Sequence, residues 1–157
     1  YTDMNPYNID DLPKNLTAWL YARLLQPILY IEGGWEYWFQ IDFPAWMDVV
    51  DKTQYDFRRE VILPGVRLDW LINSNSIGQI PVAVEIKAQT HKYKNDVFEK
   101  DVMEDIEKLK GLKGKYEKMM IAAVIDEKMK KRLIELGFTF IATDRDHFTE
   151  VLVYKIK

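Results

Sequence analysis

Charged residues fall in the middle of two apolar runs, and this placement constrains the chain more than any other feature. The runs, Val66–Ile72 and Val82–Ala88, are rich in β-formers and are separated by a polar stretch containing Asn73, Ser74, Asn75, Ser76 and Gly78. That pattern predicts a β-hairpin with a long connection. Asp69 interrupts the first run, and Glu85 and Lys87 interrupt the second. A charge inside an otherwise buried strand is costly to desolvate unless it is paired or bound to a metal. A connection over residues 73–81 centres on Ile77, so Asp69 and Glu85 are expected to face each other, with Lys87 two residues along on the same face. Opposed carboxylates repel across a sheet. With an amine beside them they suit a divalent cation, Mg²⁺ or Mn²⁺, which takes oxygen ligands and shares them with a substrate phosphate.

Asp69, a spacer, and then Glu85-Ile86-Lys87 resembles the signature of the PD-(D/E)XK nucleases, the family with the restriction-endonuclease-like fold. The resemblance spans about residues 55–141, to within a few residues at each end. It implies that Asp69 and Glu85 bind Mg²⁺ with the Ile86 carbonyl as a further ligand, and that Lys87 positions or activates the attacking water. The family often has Pro before the Asp, where this chain has Leu68. Some members carry a polar residue at the position of Gln89, which implies a supporting role there. Many supply one more acid from outside the motif. Glu60 and Glu36 compete for that place. A tight turn at Pro64-Gly65 would set Glu60 beside Asp69, and strand parity favours it over Glu36, although a one-residue slip would send Glu60 to the other face.

At 157 residues the chain is expected to form a single domain, with a helical part over residues 1–54 and a sheet core over residues 55–157. Apolar residues make up 48% of it, enough for a real core. The absence of cysteine excludes disulfides and thiolate zinc sites. Two histidines far apart in sequence, His91 and His147, argue against a histidine zinc site. No secretory signal pattern and no apolar run of membrane-spanning length is found, so a cytoplasmic setting is expected. The net charge is −3, but it is unevenly spread. Residues 1–56 hold nine acids and three bases, whereas residues 86–132 hold thirteen bases and nine acids. A basic segment directly after the motif suits phosphate contacts.

Taken in order, residues 14–31 read as a helix bent at Pro27, and residues 35–50, very aromatic and interrupted by Pro44, as a helix or helix pair packed on the sheet. The aromatics are read as core. Residues 55–63 read as a strand, followed by the hairpin. Residues 93–112 form the clearest helix, with Phe98, Val102, Ile106, Leu109 and Leu112 as one stripe. A buried strand (119–125), a charged helix (126–136) and two strands (138–142 and 151–156) complete an α+β arrangement: a central mixed sheet flanked by helices. A phosphate-binding loop at residues 111–115 is rejected because the glycine spacing and the hydroxyl residue are missing.

The expected function is a Mg²⁺-dependent nuclease acting on double-stranded DNA, with Asp69, Glu85, Lys87, Glu60 and Gln89 at the site. Lys92, Lys94, Lys108 and Lys110, with Lys113 and Lys115, are candidate DNA contacts. The alternatives are a non-catalytic DNA-binding or viral structural protein on the same fold, or a junction resolvase or ribonuclease. The oligomeric state stays open, a homodimer included.

Overall fold

The hairpin predicted around the mid-strand charges forms at the expected residues, as β2 (Val66–Ile72) and β3 (Val82–Ala88). The structure, a computed structural model, describes residues 4–23 and 34–157. The elements in chain order are α1 (Leu12–Ala22), α2 (Gly34–Asp51), β1 (Phe57–Leu63), β2, β3, α3 (Asn95–Lys110), β4 (Glu117–Val124), α4 (Glu127–Glu135), β5 (Thr139–Thr143) and β6 (Glu150–Ile156). The first helix ends at Ala22 because Arg23 is extended. The expected continuation through Leu24, Leu25 and Ile28, with its bend at Pro27, lies outside the described residues.

The strands form one sheet in the order β1-β2-β3-β4-β6-β5. β3 and β4 run parallel with α3 as their crossover, and the other neighbours are antiparallel. Side chains alternate between two cores. Val84, Ile86, Ile121 and Val151 face α1 and α2, and Ala83, Met120, Ala122 and Leu152 face α3 and α4. The protein is therefore a mixed α+β domain with a central sheet covered by helices on both faces. Among the described residues, no helix is long and apolar enough to cross a membrane.

The aromatic segment is one helix despite Pro44. Proline has no N–H, so the carbonyl four residues back, that of Gln40, loses its helical partner. The Trp70 indole Nε1 of β2 donates to that carbonyl at 3.0 Å. The defect in α2 thus becomes its anchor on the strand that carries Asp69. Trp35, Phe39 and Phe43 are fully buried, as their reading as core requires, whereas Tyr37 of the same segment points to solvent. From the other side, Asp42 ties α1 to α2 by accepting from Trp19 Nε1 at 2.7 Å and Arg23 Nε at 2.8 Å.

Candidate functional site

The ladder between β2 and β3 breaks off before it reaches the charged residues. Ile72 faces Val82, Leu71 faces Ala83 and Trp70 faces Val84. This is the register that would bring Asp69 opposite Glu85, but pairing stops one step short of them. β3 continues along β4 as far as Ala88 facing Ala123, while β2 follows β1 from Leu68 to the turn. The sheet is split at this point.

At the same level the other edge of β2 is irregular too, at Glu60. This residue has φ 50°, a left-handed backbone that is rare outside glycine and asparagine. The β1–β2 register is the one expected on both sides of it, from Leu63–Val66 through Val61–Leu68 to Arg59–Trp70, with the Glu60–Asp69 step absent. Across that step β2 rotates. Leu68 lies in the α3/α4 core and Trp70 in the α1/α2 core, although they are two residues apart.

Two carboxylates enter the split. The N–H groups of Ile86 and Ala88, which a continuous β2 would have accepted, still need partners. Ile86 N–H donates to Asp69 Oδ2 at 2.7 Å, and Ala88 N–H donates to Glu36 Oε1 at 2.9 Å. Glu36, on the first turn of α2, is therefore one acid brought to the motif from outside it. Glu60 is placed elsewhere. Its left-handed backbone redirects the side chain, and the carboxylate pairs with Arg67 Nη2 at 3.0 Å. The register that favoured Glu60 holds on both sides of it, but the Glu60–Asp69 pair itself is missing where Glu60 is left-handed.

Glu85 and Lys87 project toward α3, as their shared face predicts. Lys87 Nζ lies 3.4 Å from Asp105 Oδ2 and 4.0 Å from Glu36 Oε1. Lys108 Nζ stands 3.0 Å from Glu85 Oε1 and 3.8 Å from Asp105 Oδ1. The residues missed by sequence reasoning are Asp105 and the inward role of Lys108. Their signal was a polar line at helical spacing, Asp101, Asp105 and Lys108, running beside the apolar stripe of α3.

The electrostatics follow from burial. Glu85 is 3% exposed. Desolvation first, then the charge and hydrogen-bonding reach of Asp69, push its pKa up to about 9. Burial also raises Glu36 and Asp105, against the pull of Lys87 in both cases. Burial opposes the charge on Lys87, but Glu36 and Asp105 together outweigh it, so the lysine is held protonated more firmly than usual. Among the described residues, the four acids Glu36, Asp69, Glu85 and Asp105 gather around two lysines, Lys87 and Lys108, an excess of acid.

Among the described residues, no three Asp, Glu or His side chains converge as a ready cage for an ion. The donors nevertheless fit a hard cation that binds one or two carboxylates and fills its shell with water or phosphate oxygen. All are oxygens, and Asp69 is within hydrogen-bonding reach of Glu85. Glu85 Oε1 and Asp105 Oδ2 are buried, and their contacts with Lys108 at 3.0 Å and with Lys87 at 3.4 Å depart from hydrogen-bond geometry.

The remaining expected residues divide. Lys92 and Lys94 line a cleft of about 420 Å³ together with Glu36, Lys87 and Thr90. Gln89 is buried and committed to architecture. Its Nε2 donates to Asn95 Oδ1 at 2.6 Å and to the Tyr93 carbonyl, and its Oε1 accepts from Ile125 N–H at 3.1 Å. It fastens the end of β3 to the start of α3 and the end of β4. Lys110 pairs with Glu107 at 3.3 Å, and Lys113 and Lys115 are exposed beyond α3. No protein-family model, curated protein or solved structure matches this chain.

Proposed function

We propose that the protein is a Mg²⁺- or Mn²⁺-dependent nuclease of the restriction-endonuclease-like, PD-(D/E)XK type, hydrolysing phosphodiester bonds of double-stranded DNA. One observation carries the reading: a split sheet whose freed N–H groups bind Asp69 and Glu36, beside Glu85 and Lys87. A local rule of sheet pairing is broken where charged groups gather, and such violations concentrate at functional sites.

Asp69 and Glu85 would hold the ion with the Ile86 carbonyl, and Glu36 would stand at its edge. A bound divalent cation supplies an acidified water and neutralises phosphate charge. Lys87, kept protonated by Glu36 and Asp105, donates hydrogen bonds to the phosphoryl oxygens as negative charge grows on them. It acts as an electrostatic stabiliser and orienter of the water, not as the base. The cleft with Lys92 and Lys94 adjoins this point and offers phosphate contacts to the flanking backbone.

A second reading is favoured by the absence of a ready three-acid cage among the described residues: a nucleic-acid-binding protein in which these charges form a structural network. Incubation with linear, circular and branched DNA and with RNA, with Mg²⁺ or with chelator, separates the two. Metal-dependent cleavage is expected. Cleavage undiminished in chelator removes the metal mechanism, and DNA binding without cleavage of any substrate selects the second reading.

A further inference from the structure

Lys108 is the only charged side chain whose ammonium reaches both arms of the split among the described residues. It donates to the Arg67 carbonyl of β2 at 3.3 Å and stands 3.0 Å from Glu85 Oε1 of β3, with Asp105 Oδ1 at 3.8 Å. Three oxygens from three elements thus surround one cation. The Glu85 oxygen it contacts is buried, and the contact departs from hydrogen-bond geometry, so the ammonium sits on the carboxyl without saturating the atom.

We infer that Lys108 is a built-in surrogate cation, occupying the Glu85 end of the candidate metal site and leaving it when a divalent ion binds. The inference rests on the metal reading above and adds a competition to it. An Mg²⁺ ion sits about 2.1 Å from its oxygens, so it and an ammonium on the same carboxylate oxygen would be neighbouring cations in a poorly solvated place, which Coulomb repulsion disfavours. Lys108 can leave. Its side chain is 35% exposed and carries its charge on a flexible four-carbon stem. Once released at the mouth of the split, it is free to meet a phosphate. Metal and nucleic acid should then bind cooperatively, because each removes the partner that holds the other's site closed.

The unaltered protein gives the first test. Lysines are acetylated with a limiting amine reagent, with and without Mg²⁺, and read by mass spectrometry. Mg²⁺ should raise the rate at Lys108 several-fold relative to Lys110. An unchanged Lys108 rate at a concentration where calorimetry shows Mg²⁺ bound overturns the inference. The second test is calorimetric titration with Mn²⁺ alone. K108Q should bind at least tenfold more tightly than wild type, while K108R and the nearby control K110Q stay close to it. Equal or weaker binding by K108Q also overturns the inference and leaves the metal reading standing. If neither wild type nor any variant binds Mn²⁺ or Mg²⁺, the metal reading falls and this inference with it. Should K108Q fail to fold, the labelling experiment decides alone.

Discussion

The Ile86 N–H donates to Asp69 Oδ2 over 2.7 Å, where a continuous β2 would have supplied a backbone carbonyl. A side chain has replaced the strand as acceptor, so Asp69 has a structural duty beside any metal. Asp69→Asn keeps an acceptor oxygen, whereas Asp69→Ala orphans a buried N–H, a loss of about 1–3 kcal/mol. Both variants should lose cleavage and divalent-ion binding. Only Asp69→Ala should lose much stability, which denaturant unfolding would show as a lower midpoint at unchanged slope. Equal stability of the two would mean that the hydrogen bond is dispensable.

Glu36 and Glu60 exchange the importance that strand parity assigned them. Glu36 binds the Ala88 N–H and faces Lys87. Glu60 pairs with Arg67, whose side chain is 62% exposed. Glu36→Gln should therefore reduce cleavage at least about tenfold, a loss of roughly 1.4 kcal/mol of transition-state stabilisation. Glu60→Gln should leave activity intact and cost at most about 1 kcal/mol of stability, as exposed pairs do. Loss of activity in Glu60→Gln alone would return the site to the register argument.

The sequence made the sheet legible because periods of two and of 3.6 are local properties. β2 and β3 end where the apolar runs end, and the loop centre at Ile77 set their register. The split was not legible, and neither was the left-handed φ at Glu60 beside it, on a residue type that gives no warning of one. Nor was the direction of Glu36. It depends on the seating of α2, which the Trp70 indole fixes through a carbonyl released by Pro44. Pro44 was visible as an interruption, but which donor would answer it was a tertiary matter. Asp105 was visible as one more acid on a charged helix, three residues from Lys108, and the crossover of α3 above β3 is what brings it to Lys87.

Burial of Glu85 makes a prediction about stability and pH. Its folded pKa lies above the ordinary value of 4.5, so between the two values the folded state holds a proton that the unfolded state has released. Stability is then full at low pH and lost as pH rises through that window. A tenfold change in proton affinity is worth about 1.4 kcal/mol, and sharing of charge with Asp69 and Lys108 limits the total to a few kcal/mol. Glu85→Gln cannot titrate, so its advantage over wild type should grow steadily from pH 5 to pH 9, at about 2–4 °C of melting temperature per kcal/mol. Mg²⁺ should narrow the gap by stabilising the wild-type carboxylate. A constant difference across that range would show that Glu85 is ionised throughout. The same variant should be inactive.

Lys94 occupies a position where local physics prefers another residue. It is the N-cap of α3, its side chain makes no capping bond, and a cation at a helix N-terminus opposes the helix dipole. With Lys92 it lines the cleft that also holds Glu36 and Lys87. If phosphate binding is what keeps a lysine there, stability and binding should move in opposite directions on substitution. Lys94→Asp supplies a cap and a favourable charge and should raise stability by about 1 kcal/mol. Combined with Lys92→Glu, it should weaken DNA binding and flatten the slope of log K against log salt by about 2, near 0.9 for each phosphate no longer neutralised. Lys110→Glu, on a lysine paired with Glu107, is the control and should leave the slope as it is. Fluorescence anisotropy with labelled duplex across a salt series, beside thermal melts of the same proteins, measures both quantities. A more stable double variant with an unchanged salt slope would return Lys92 and Lys94 to an ordinary solvated surface.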